Sequence, residues 1–212
     1  MTKREYIKSI LVGFNNTGKT YYVRNVLAKK LLKADKTKKI VLISSNCFDK
    51  TLKGVKQVHS FKDLKRLKSG FVVFWDKKHF REHGENGFFD ELYQLAEDGH
   101  LTNGAIIIDD ATKYFSKGVI SKVMASFLTD YRHFGLDFFF IFHELKRIPT
   151  ILLDRIHIVL MKKTTETNLD LKFFNTRGFG NAPAFLKAYK ILNKISFDSK
   201  LRYTTISVKT GI

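Results

Sequence analysis

The chain has 212 residues, 44% of them hydrophobic, which suits one α/β domain with a sizeable core. Its single cysteine, Cys47, excludes an internal disulfide, fits a reducing compartment and is expected as a small buried side chain. No apolar leader follows Met1 and every apolar run is strand-sized, so neither a signal segment nor a transmembrane helix is expected. Lys and Arg number 38 against 20 Asp and Glu, a formal charge of +18 that makes a phosphate polymer the natural partner. Abundant Lys, Ile, Asn and Phe also fit an AT-rich genome, with the lysines on a solvated face.

Strand-like and helix-like runs alternate, as in a parallel sheet with crossover helices. Residues 7–12 read as a buried strand and 19–33 as the helix after it. A strand at 39–44, a helix at 61–67, a strand at 71–75 and a helix at 88–97 follow. Strands at 105–108 and 136–142 flank a helix at 120–133, before a short helix at 149–154 and a strand at 157–161. Most of these strands are apolar nearly throughout, as expected when both faces are covered. After Lys162 the pattern changes, with helices at 168–175 and 183–195 and an alternating edge strand at 201–208. Segments 76–87 and 176–182 read as the mobile loops. Trp75, Phe138, Phe139 and Phe140 read as core, and no His pair has convincing metal-ligand spacing.

Residues 13–20 spell Gly-Phe-Asn-Asn-Thr-Gly-Lys-Thr, the G-x-x-x-x-G-K-T pattern of a Walker A phosphate loop. It sits where its physics requires, between a buried strand and a helix start. The glycines let backbone N–H groups turn inward around phosphate oxygens. Gly13, Asn15, Asn16, Thr17, Gly18, Lys19, Thr20 and Tyr21 are therefore the expected nucleotide contacts. Lys19 adds a point charge toward the β- and γ-phosphates, and the Thr20 hydroxyl is placed to hold Mg²⁺. ATP and Mg²⁺ are the expected ligands.

Ala105-Ile-Ile-Ile108-Asp109-Asp110 is four apolar residues followed by two acids, a Walker B pattern. Asp109 is placed to hold Mg²⁺ through water, and Asp110 to orient or deprotonate an attacking water. Downstream, Tyr131-Arg132-His133-Phe134-Gly135-Leu136-Asp137 leads into an apolar strand ending at His143. In ring-forming ATPases the corresponding strand ends in a polar residue that senses the γ-phosphate, and an arginine reaches the neighbouring subunit's site. His143 fits the sensor and Arg132 the trans finger, with Arg147 and Arg155 as rivals. Lys77, Lys78, Arg81, Lys162, Lys163 and Arg177 are candidates for phosphate contacts on DNA or for a solvated surface.

This order of parts over residues 7–163 resembles the FtsK/HerA superfamily of DNA-pumping ATPases, and its small size resembles the viral genome-packaging branch. The resemblance implies a three-layer P-loop NTPase fold of the RecA/FtsK-like kind, with a mostly parallel sheet flanked by helices. A short C-terminal α+β extension, 162–212, would pack on the core of a single domain, 1–212. It further implies a homo-oligomeric ring, commonly a hexamer, that threads DNA by hydrolysing ATP and meets a capsid vertex protein in the host cytoplasm or the virion. The family's Walker A residues map onto Lys19 and Thr20, its metal acid onto Asp109 and its finger onto Arg132. Asp110 departs from the family's usual Glu, and His143 from its usual Gln or Asn. Three rivals remain: a filamentous-phage morphogenesis ATPase of the zonula-occludens-toxin type, a nucleotide or nucleoside kinase, and a nucleotide-gated DNA-binding module without turnover.

Overall fold

A computed structural model describes residues 6–45, 49–115 and 120–211; Cys47 lies outside the described residues. Eight strands form one sheet: β1 (Lys8–Val12), β2 (Lys39–Ile43), β3 (Lys56–Val58), β4 (Gly70–Phe74), β5 (Gly104–Ile108), β6 (Leu136–Phe142), β7 (Ile158–Met161) and β8 (Ile206–Lys209). Their order is β3-β4-β2-β5-β6-β1-β7-β8. The β3–β4, β2–β4, β2–β5 and β1–β7 ladders are parallel, and β8 runs antiparallel to β7. With helices flanking it, this mostly parallel sheet is the expected α/β class.

The chain divides into two compact units. The first holds Tyr6 and the described parts of Thr20–Asp109 and Ser121–Phe138. It contains α1 (Lys19–Tyr22) from Thr20 on, α2 (Lys29–Ala34), α3 (Phe61–Lys65), α4 (Lys77–Glu97) and α5 (Lys122–Asp130). Ile40, Val41, Leu42 and Ile43 of β2 are fully buried, as the apolar run requires of a strand paired on both edges. Phe61, Phe74 and Phe88 pack ring to ring, with Phe61 and Phe74 centroids 5.0 Å apart. Each such buried ring contributes about 1.5–3 kcal/mol of apolar transfer.

The second unit holds the described parts of Ile7–Lys19, Asp110–Ile120 and Phe139–Ile212. It contains α6 (Thr150–Leu153), α7 (Leu171–Thr176) and α8 (Ala182–Asn193). Phe174, Phe179 and Phe185 form the cluster that holds α7 against α8. Glu166, buried near the same helices, accepts the N–H groups of Leu145 and Lys146 at 2.7 Å each. Burial pushes its carboxyl pKa up, while those two hydrogen bonds pull it down.

Four expectations need correction. Residues 77–87, within the segment expected as a loop at 76–87, are the first part of the helix α4, interrupted at Gly84 (φ 66°). Asp76 caps that helix by accepting from His79 N at 2.9 Å, and Phe80 packs 4.8 Å from Trp75. The helix expected at 19–33 contains a π-helical stretch, Val23–Ala28, between α1 and α2. β3 was not anticipated, because only Val58 of its three residues is a buried apolar side chain. Lys200–Tyr203 is a 3₁₀ turn, so the last strand begins at Ile206 rather than at residue 201. Among the described residues no helix is long and apolar enough to cross a membrane.

Candidate nucleotide-binding site

β1 delivers the chain into the glycine loop. Gly13 N donates to the Phe142 carbonyl at 3.2 Å and Phe14 N to the Lys163 carbonyl at 2.9 Å, so the last residue of β6 and the segment just after β7 anchor the loop's first turn. Gly13 is required by close approach, since a Cβ there would lie 2.6 Å from Lys162 Cβ. Gly18 adopts φ +75°, a left-handed conformation costly for residues with a side chain. Asn16, at φ 61°, takes the same region, which a short polar side chain tolerates. Thr17 is fully buried, and its hydroxyl donates to the Phe14 carbonyl at 2.7 Å. Asn15, Asn16 and Tyr21 are exposed.

Lys19 is buried, and its Nζ donates to the carbonyls of Gly13 (2.6 Å) and Phe14 (3.0 Å). His143, the first residue after β6, places Nδ1 3.2 Å from the same Nζ. An ammonium has only protons to give, so this contact makes Nδ1 the acceptor and leaves the ring proton on Nε2. That nitrogen lies 3.9 Å from Asp110 Oδ1. Asp110 sits at φ 47°, and its carboxylate pairs with Lys113 Nζ at 2.8 Å. A cleft of about 300 Å³ lies beside these groups, lined by Asp110, Thr112, Lys113, His143, Glu144 and Arg147. The fold therefore brings Lys19, His143 and Asp110 together, and it adds Arg147 to the cleft.

Asp109, in the other unit, directly follows β5 and accepts a hydrogen bond from the Ser44 hydroxyl at 2.8 Å. Ser44 is buried and directly follows β2. Sequence reasoning passed over Ser44, although a polar residue closing a buried strand was the available signal. Thr20, in α1, supplies a hydroxyl to the same unit. Carboxylate and hydroxyl oxygens are the hard donors that suit Mg²⁺. Among the described residues no cluster of three His, Cys, Asp or Glu is placed to cage a metal.

Arg132 stands in the turn between α5 and β6, where its Nε donates to Tyr131 Oη at 2.8 Å. It lies four positions before the first residue of β6 and His143 directly follows the last, so the whole strand lies between them along the chain. Lys162 and Lys163, expected as surface charges, are buried instead. Lys162 Nζ donates to the Tyr203 carbonyl at 2.8 Å, and Lys163 Nζ to the Asn193 carbonyl at 3.1 Å. Burial and the neighbouring Lys19 charge push the Lys162 pKa down to about 8. Arg177 donates to the carbonyls of Lys146 and Ile148. Lys77, Lys78 and Arg81 are exposed on α4.

A strand entering a glycine loop whose lysine folds back on the loop carbonyls, on a mostly parallel sheet, defines the P-loop NTPase fold. Solved structures carry the comparison further. The chain is similar to the genome packaging NTPase B204 from Sulfolobus turreted icosahedral virus 2. In the complex of that protein with ATP-γS the TM-score is 0.71 at 18% identity, covering 97% of this chain and 93% of that one. In its AMP complex the TM-score is 0.72 at 18% identity, with 98% and 94% covered. B204 described as the DNA-packaging ATPase of Sulfolobus turreted icosahedral virus matches with a TM-score of 0.67 at 18% identity, over 96% and 92%. No protein-family profile and no curated protein sequence matches the chain.

Proposed function

We propose that the chain is an ATPase whose hydrolysis of ATP drives viral DNA, double- or single-stranded, into a capsid. The observation that carries this reading is the convergence of Lys19, His143 and Asp110 at the phosphate loop. The fold shared with B204 supports it. The whole of residues 1–212 is read as one ATPase domain, since the two units are interleaved along the sequence.

In this reading the loop N–H groups from Asn15 to Tyr21 cradle the phosphates, and Lys19 exchanges its carbonyl partners for the β- and γ-phosphate oxygens. His143 donates its Nε2 proton toward the γ-phosphate or the attacking water, and Asp110 orients that water. Asp109 and Thr20 would hold Mg²⁺, which neutralises charge on the phosphates when bound. Arg132, in the turn before β6, acts on a neighbour's site in a ring, read as a hexamer. The +18 charge tracks the DNA backbone without reading sequence. The ring works in the host cytoplasm and docks on a capsid vertex protein.

The test is phosphate release by wild type and Lys19→Ala, with and without DNA, across a salt series. Hydrolysis stimulated by DNA, DNA affinity that falls steeply with salt, and a silent Lys19→Ala variant are expected. Phosphate transfer to a nucleoside would make the chain a kinase, and binding without turnover a nucleotide-gated module.

A further inference from the structure

We propose that the turn Lys200–Tyr203 is the nucleoside end of the nucleotide site, where the base stacks on the paired side chains of Arg202 and Tyr203. The inference rests on reading the glycine loop as a nucleotide loop.

One direct contact and two through neighbouring residues connect this C-terminal turn to the loop. The Tyr203 ring lies over Gly18, where a Cβ would come within 2.8 Å of its Cδ1. The Tyr203 carbonyl is held by Lys162, whose own Cβ backs Gly13. A few residues earlier, Phe197 packs edge-on to Phe14 at 5.7 Å and lies under Lys163 Nζ at 4.5 Å. The turn thus meets the phosphate loop directly at Gly18, and Lys162 and Phe197 tie its neighbourhood to Gly13 and Phe14.

The side chains around the loop differ in chemistry. His143 and Asp110, near Lys19, are polar groups that suit the terminal phosphate. Tyr203, against Gly18, keeps 48% of its surface exposed. Arg202 is fixed over it, its guanidinium carbon 4.9 Å from the ring centroid. Its Nη2 donates to Tyr203 Oη at 2.7 Å and its Nη1 to the Phe197 carbonyl at 2.9 Å. A guanidinium held beside an exposed aromatic ring offers π-surface on which any base can stack, because every base has a π-face. In this proposal a triphosphate anchored at Lys19 turns its terminal phosphate toward His143 and its base toward this surface beside Gly18.

The probes are ATP and inorganic tripolyphosphate, which has the charge but no base. Each is titrated into wild type, Tyr203→Ala, Tyr203→Phe and Arg202→Ala. Tyr203→Ala should weaken ATP binding roughly 5- to 100-fold and leave tripolyphosphate binding unchanged. Tyr203→Phe should keep ATP affinity within about 2-fold, since the ring is retained. If Tyr203→Ala does not fold, Arg202→Ala should show the same selective loss. Unchanged ATP affinity, or equal losses for ATP and tripolyphosphate, would overturn the inference alone. Wild type that binds neither probe would overturn the nucleotide-loop reading and this inference with it.

Discussion

His143 Nδ1 stands 3.2 Å from Lys19 Nζ, so the residue that closes β6 touches the lysine of the phosphate loop. The contact fixes the imidazole tautomer and aims Nε2 toward Asp110. His143→Ala should leave ATP affinity within a few-fold and cut the hydrolysis step by about 10²-fold, the low end for a positioned proton donor. His143→Gln, which both donates and accepts, should recover part of the rate. Single-turnover hydrolysis beside a binding titration checks this. An unchanged hydrolysis rate in His143→Ala would leave His143 a structural strand cap.

Asp109 and Asp110 are neighbours with different surroundings. Ser44 holds Asp109, whereas Lys113 and the His143 ring face Asp110. Asp109→Asn should abolish Mg²⁺-dependent turnover, while Asp110→Asn should bind ATP and fail to hydrolyse it. Ser44→Ala removes a hydrogen bond to a carboxylate worth about 1.5–3 kcal/mol and should raise the Mg²⁺ concentration needed for half-maximal activity. Magnesium titrations of the three variants measure this. Equal, mild effects at Asp109 and Asp110 would mark the strand end as structural.

Arg132 and Arg147 compete for one role. Arg147 lines the cleft beside Asp110 and His143, whereas Arg132 stands before β6. If Arg132 acts in trans, activity per subunit should rise with protein concentration. Arg132→Ala should then lose on the order of 10³-fold or more in rate without losing ATP binding. Mixing Arg132→Ala with Lys19→Ala subunits should restore activity, because some interfaces pair an intact Lys19 with an intact arginine. No rescue on mixing, with a larger loss in Arg147→Ala, would assign the finger to Arg147.

Lys162 makes stability depend on pH. Its folded pKa of about 8 lies below an ordinary 10.5, so between those values the unfolded chain binds more protons than the folded one. Stability therefore rises with pH across that window: the cost of the buried charge is fully present below about 8 and is gone above 10.5. Relative to Lys162→Met, which cannot titrate, wild type should gain about 2 kcal/mol between pH 7 and pH 9.5. Urea unfolding of both proteins at the two pH values tests the sign. A constant difference would mean that Lys162 does not titrate there.

The sequence by itself determined the phosphate loop, the acidic strand end and the alternation of strands and helices. Those features are local: a glycine loop needs its glycines, and a strand covered on both faces needs an unbroken apolar run such as 106–108. It could not give β3, which takes its conformation from pairing with β4. It also misjudged 76–87, where the Asp76 cap and the packing of Phe80 on Trp75 outweigh the glycines. Only the tertiary structure decided which polar residues meet: Ser44 with Asp109, His143 with Lys19, and Lys162 and Tyr203 against the loop. Each pair joins groups at least 41 positions apart, as with Lys162 and Tyr203. Contacts at that range are set by how strands pair and where they end, which no local pattern of residue types encodes.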